Sequence, residues 1–419
     1  MSTTARIRAA APLLALALLA GAPLAAQPSV RLPAQDRPLA GTPATVFTIG
    51  REDGQSWEML SNAERLAFDR NDNLYVLDRG NARVLVFDRN GRFVRQLGKK
   101  GDGPGEFQVP TSLTILNNGD LAVLDVGHQN ITLFAPDGTV RRTAAWSPEW
   151  GIPVTQIDAH PAGGIVGTLR PMLRMDQARS GNMPSMTQTI ARIPLEARAE
   201  PVRLFEIPDA SRSNSQVSEG GNQRQFRMRL GGPEFSALTL WGVLPDGGTA
   251  LSHTSLYTIK VQDAAGRTIR FLQRPVPVRR VTEADRDRAR QRAREQMRSG
   301  AGAIMIVRGG GGAGAPRTQQ PSEQMIQERL REMEFADTMR VLQGLAIAPS
   351  GKIWVERTPQ NPGDPGPIDL VTVRGDYLGT ITGLRMPRAI SASGRVAYVE
   401  RDDLGVERVV VKQLPAAWR

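Results

Sequence analysis

The chain has no cysteine, three histidines, and an aromatic content of 5% over 419 residues. The missing cysteine excludes disulfides, thiolate metal sites and a lipid-anchored N-terminus. The few aromatics supply no stacking platform, so the charge of +11 is not read as a nucleic-acid surface. Beyond residue 30 no apolar stretch is long enough to cross a membrane as a helix. No Gly-x-Ser-x-Gly, no His-Glu-x-x-His and no pair of carboxylates in distinguishable settings is present, which leaves hydrolase chemistry without its usual apparatus.

What is present begins at the N-terminus. Arg6 and Arg8 precede an apolar run over 9–20, and small residues follow up to Ala26. That order is a secretory signal peptide over 1–26, with cleavage before Gln27, and predicts a periplasmic or extracellular protein with no membrane span after cleavage. An uncleaved anchor is the alternative. Residues 27–43 read as a linker. Gly (42) and Pro (30) are abundant, so many turns are expected.

Residues 66–96 and 113–143 align without a gap. Leu74-Tyr75-Val76-Leu77-Asp78 falls on Leu121-Ala122-Val123-Leu124-Asp125, and Phe87-Asp88-Arg89-Asn90-Gly91 falls on Phe134-Ala135-Pro136-Asp137-Gly138. Each copy holds short strands divided by Asn, Asp and Gly turns, the pattern of a propeller blade. Between the copies lies Gly98-Lys99-Lys100-Gly101-Asp102-Gly103-Pro104-Gly105-Glu106-Phe107, followed by Pro110. This stretch resembles the NHL repeat, and the pattern is similar to bacterial exported six-bladed propellers that mostly lack an assigned activity. The resemblance is specific over about 65–140. The Arg that usually follows the Asp turn is Arg83 in blade one, whereas blade two has Asn130 there.

Weaker copies extend the count to six blades, an all-β six-bladed β-propeller; five or seven remain alternatives. The last blade runs out of chain after three strands. The segment 46–50 resembles the outer strand of blade one and is expected to close the ring, removing an exposed sheet edge. Blades one to four with this closing strand occupy 44–278, and blades five and six occupy 341–419. Between them lies a helical, Gly-rich insertion over 279–340, with helix candidates at 281–299 and 322–341 and a glycine run over 309–312 that reads as a hinge rather than a phosphate-binding loop. This insertion is either an ordered arm or disordered.

Assigning turns to faces is informative. The first-to-second and third-to-fourth turns are tight, whereas the excursions over 170–185, 208–234, 275–340 and 360–367 all lie on the opposite face. Long loops on a rigid frame are where function concentrates. The inner ends of the second strands point to the central funnel on that face, which nominates Asp78, Arg79, Asp125, His128, Arg170, His253, Arg357, Glu400 and Arg401 as ligand-binding residues. A structural role, pairing with backbone amides or with each other, is the competing reading for Asp78, Asp125 and Arg83. Trp57, Trp146, Trp150, Trp241 and Trp354 either line a sugar surface or pack, and mid-strand Trp354 packs.

The expected function is an extracytoplasmic binding or scaffold module that presents this face to a polar small molecule, glycan or protein partner. The chain is expected to be a monomer and to need no cofactor. The alternative is a metal-assisted lyase or lactonase-like enzyme using His128 and His253 with a divalent cation, because the streptogramin lyases among similar six-bladed proteins use histidines and a metal on this face. A weaker reading attaches the Arg-rich arm to an anionic surface.

Overall fold

Leu74–Asp78 and Arg83–Phe87 are buried at every position, as strands covered on both sides must be. In the computed structural model, which describes residues 28–145, 147, 150–170, 187–196, 200–207, 216–220, 223–227, 232–298 and 321–419, they form the middle of a four-stranded antiparallel blade. Blade one is Arg65–Phe68, Leu74–Asp78, Arg83–Phe87 and Phe93–Leu97. Blade two is Pro110–Ile115, Leu121–Asp125, Asn130–Phe134 and Val140–Ala145. Blade three is Ile152–Ala159, Ile165–Arg170, Gln188–Ile193 and Val202–Ile207.

Blade four is Leu240–Val243, Thr249–Ser252, Thr258–Gln262 and Thr268–Gln273. Blade five is Leu342–Ile347, Ile353–Arg357, Ile368–Val371 and Tyr377–Ile381. Blade six is Ala389–Ile390, Arg395–Arg401 and Glu407–Gln413, completed on its outside by Ala44–Ile49 as expected.

Period-two alternation sends neighbouring side chains of one strand to opposite neighbouring blades. Tyr75 and Leu77 join Leu121 and Val123 of blade two, while Leu74 and Val76 join Val409 and Val411 of blade six. Corresponding apolar clusters fill the seams between blades two and three, three and four, four and five, and five and six. Six seams with six cores close the ring. The repeat's glycines have steric reasons. Gly98 adopts a φ of 71°, and a Cβ there would lie 2.2 Å from the Phe107 ring that fills the first seam.

The stretch before the closing strand does more than link. Ser29–Arg31 pairs in parallel with Thr268–Gln273 as a fifth strand of blade four. The Leu39 amide then donates to the Thr380 carbonyl of blade five (2.9 Å), and the Thr380 amide donates to the Arg37 carbonyl (2.8 Å). Residues 28–49 therefore form a strap along the outer edges of three consecutive blades, where unpaired strand edges would otherwise face solvent.

The insertion is ordered at both ends. Its first helix, Glu283–Arg298, begins on a reciprocal cap: the Asp285 amide donates to Thr282 Oγ1 (3.3 Å), and the Thr282 amide donates to an Asp285 carboxylate oxygen (3.0 Å). The second, Glu323–Arg331, starts on Ser322 and is shorter than the expected 322–341. Beyond it the chain is extended, because Glu334 and Ala336 pair with Glu234 and Met339 pairs with Arg279. These long-range backbone bonds displace the helical ones the amphipathic pattern suggested. Phe235, Val281, Ala289 and Met339 form a separate small core beneath the helices. The excursion over 208–234 contains a hairpin, Gln216–Gly220 with Gln223–Arg227. Most of the 170–185 excursion, the glycine run over 309–312 and Trp146 lie outside the described residues.

Candidate functional site

The residues nominated at the inner ends of the second strands divide sharply. Asp78 is fully buried and accepts from the Ser61 amide (2.8 Å), Asn81 Nδ2 (2.8 Å) and Arg83 Nε (2.9 Å). Arg83 continues to the carbonyls of Ser56 and Met59. Asp125, equally buried, accepts from the amides of Gln108 (2.7 Å), Val109 (2.8 Å) and Gly127 (2.9 Å). Both carboxylates therefore tie the incoming inter-blade connection to the second strand. Their oxygens are taken up by protein donors, the structural role that competed with ligand binding.

The departure at Asn130 now has an explanation. Where blade one sets Arg83 against Asp78, blade two sets His128 Nδ1 against Asp125 Oδ2 at 3.0 Å. His128 Nε2 meets Asp102 Oδ1 at 3.0 Å. With both ring nitrogens occupied, His128 is a clasp residue and not an open metal ligand. His253 is exposed on blade four, where burial of its ring and the nearby Lys260 hold its pKa below the usual imidazole value. Among the described residues no three His, Asp or Glu side chains converge as metal ligands.

Arg357 is bound to Asp36 of the strap (2.7 Å) and lies 3.3 Å from Asp369. Arg401 pairs with Glu407 (2.6 Å), whose second oxygen receives the Ala63 amide, so Glu407 rather than Glu400 is the clasp of blade six. Glu400 lies 3.6 Å from Lys412. Arg79 reaches Glu64 (3.3 Å), and the side chain of Arg170 lies outside the described residues. The described tryptophans pack. Trp241 and Trp354 are buried in seams, Trp57 stacks on Phe93 at 5.0 Å, and Trp150 borders the seam of blades two and three.

The polar site that does form is built mainly by the innermost strands, which the sequence reading passed over. Asp158 of blade three accepts from Gln156 Nε2 at 3.1 Å. Burial pushes its pKa up to about 6, against the lowering effects of Gln156, the Val243 amide and Arg65. Arg65 belongs to the innermost strand of blade one and Asp158 to that of blade three, so the attraction between them skips a blade. Burial and then Arg388, just before blade six, lower the Arg65 pKa, while Glu64 and Asp158 oppose that. Glu356 of blade five is raised by burial and held down by Gln343, the Gly366 amide, Arg385 and Arg388. Half-buried Arg65 and Asp158 on innermost strands, half-buried Glu356 on a second strand and exposed Arg388 just before blade six are thus a mixed-charge set, and guanidiniums suit anionic or hydrogen-bonding groups. The available signal was a charged residue inside or beside an otherwise apolar strand, as at Arg65, Asp158 and Glu356.

The two faces also differ in apolar exposure. Met59, Val109, Leu238, Leu256, Val278 and Leu404 are exposed on the loop-rich face, with Leu404 at 80%. Among the described residues the tight turns of the opposite face expose no large apolar side chain themselves. Val140 and Val202 are exposed where the fourth strands of blades two and three leave those turns, and Val46, Val94 and Ile269 are exposed along outer strands.

Residues 59–143, covering blades one and two, match the profile of a family described as a 6-bladed beta-propeller. The E3 ubiquitin-protein ligase NHLRC1 of Homo sapiens is 30% identical over 160 residues, a match spanning 38% of this chain and 38% of that protein's length. The matched propeller family agrees with the repeat read around Gly98 and Phe107. A member of the duf4221 family from Bacteroides vulgatus shares the fold at a TM-score of 0.50 and 9% identity, covering 91% of this chain and 98% of that one. A gluconolactonase from Xanthomonas campestris covers 91% of this chain and 97% of its own at 12% identity, but its TM-score of 0.40 places no activity here.

Proposed function

We propose that the protein is an exported binding module whose loop-rich face docks a protein partner, with a polar group of that partner received at the channel mouth. The observation that carries this reading is the one-sided exposure of Met59, Val109, Leu256 and Leu404. Apolar side chains gathered on one face, with polar groups at its centre, are what an interface presents before it is covered. Arg65 and Arg388 make an acidic group the favoured guest of the channel. Export rests on the leader at 1–26, and no described helix is long and apolar enough to cross a membrane. The reading that joins His128 and His253 at one metal has no comparable support, since His128 is already held between two carboxylates.

Photoreactive residues test the proposal in the producing cell. Placed at Leu256 or Leu404, they capture a defined adduct; placed at Asn90 or Asn118 on the opposite face, they do not. Equal capture from both faces, or none from either, removes the reading.

A further inference from the structure

The two helices of the insertion enclose a cleft of about 390 Å³ lined by Arg290, Arg294, Gln327, Leu330 and Arg331. Arg290 and Arg294 are one turn apart on the first helix, and Gln327 and Arg331 are one turn apart on the second, so each pair shares a face. Buried Leu330 supplies an apolar wall. Four of the eight arginines on these helices have acids: Arg286 and Arg290 meet Glu283 at 3.1 and 3.0 Å, Arg288 meets Asp285 at 2.8 Å, and Arg298 meets Glu323 at 3.0 Å. Arg290 also lies 5.1 Å from the Phe335 ring centroid, which fixes its direction.

Of the other four, Arg292, Arg294, Arg329 and Arg331, two line the cleft: Arg294 and Arg331. Neither has an ion-pair partner among the described residues, and the buried Nε of Arg294 has no hydrogen-bond partner. Glu323, which senses Arg294, is held by Arg298 and by Gln327 (3.3 Å). A guanidinium cannot shed its proton at any ordinary pH, so half-buried Arg294 and exposed Arg331 give the cleft a fixed positive charge that favours an anion. Several oxygens on one centre match the guanidinium fork.

We propose that this cleft binds a phosphate group carried by a small molecule, with Arg294 and Arg331 as its principal ligands, independently of the channel and the apolar face. The test uses the full chain and calorimetric titration with inorganic phosphate and pyrophosphate at low salt. Saturable binding of one anion per chain is expected. Arg294→Gln and Arg331→Gln should each weaken it by roughly tenfold or more, the loss of a charge-assisted bond. Arg298→Gln, which removes a paired arginine that does not line the cleft, should stay within about twofold, and thermal melting should show all three variants folded. No saturable binding, or equal affinity in wild type and Arg294→Gln, overturns the proposal. So does retention on vesicles of anionic lipid without binding of either soluble phosphate, since that outcome assigns the arginines to a surface rather than a pocket.

Discussion

The seam entering blade one and the seam between blades four and five both bury a carboxylate, and they neutralise it in opposite ways. Asp78 takes its donors from nearby in the chain: Ser61, Asn81 and Arg83. Asp369 is reached by Arg274 from the neighbouring blade (2.7 Å), by Thr380 (2.6 Å) and, at 3.3 Å, by Arg357 of its own blade. Arg274 then extends to Asp36 (2.7 Å) and to the Pro33 carbonyl (2.8 Å) of the strap, and lies 4.5 Å from the Tyr377 ring centroid. Where the repeat is well formed, charge burial is handled within one motif. Where it has decayed, one arginine joins two blades and the N-terminal strap.

The sharpest way to break this contrast is Arg274→Met. It leaves Asp369 buried with weaker support and releases the strap, so denaturant unfolding should show a loss of about 3–5 kcal/mol. Arg83→Met should cost less, about 2–3 kcal/mol, because Asp78 keeps its Ser61 and Asn81 donors and no contact to the strap is lost. If Arg83 proves as costly as Arg274, local and long-range neutralisation are equivalent and the contrast fails.

A smaller effect separates both seams from the channel. Asp158 has a folded pKa near 6, above its unfolded value, so the folded state holds the proton longer as pH rises. That contribution is present at low pH and is lost between about pH 4 and 6, where stability should fall by about 1–2 kcal/mol once the roughly 3 kcal/mol that such a rise corresponds to is discounted for the partial exposure of Asp158. Asp158→Asn should flatten this interval in a pH series of unfolding midpoints. An unchanged slope would place Asp158 in water.

Smallest of all is Asp36→Asn. Its carboxylate is 42% exposed, so solvent screens the pairs with Arg274 and Arg357. A loss under about 1 kcal/mol is expected in the same denaturant assay. A larger loss would mean that the strap is held by its charge rather than by its backbone pairing.

Most of the fold was readable because its causes are local and repeated. Tight turns and period-two strands recur, the Gly-rich stretch before Phe107 marks the junction of two copies, and an orphan strand at 46–50 matched a blade short by one. The candidate site was far less legible. Asp78, Asp125 and His128 were visible as a column, yet a column does not say whether a carboxylate faces solvent or three backbone amides. Arg65 and Asp158 belong to blades one and three, 93 positions apart, and nothing in either neighbourhood announces the other.

By itself, then, the sequence determined a six-bladed ring, its closing strand and the face that carries the long loops, since each follows from turn chemistry and hydrophobic period. Only the tertiary structure decided which charges are clasps, which line the channel and which arginines lack a partner. Those assignments depend on distances between blades and helices, and an unpaired charge is defined by the absence of every neighbour rather than by any residue beside it.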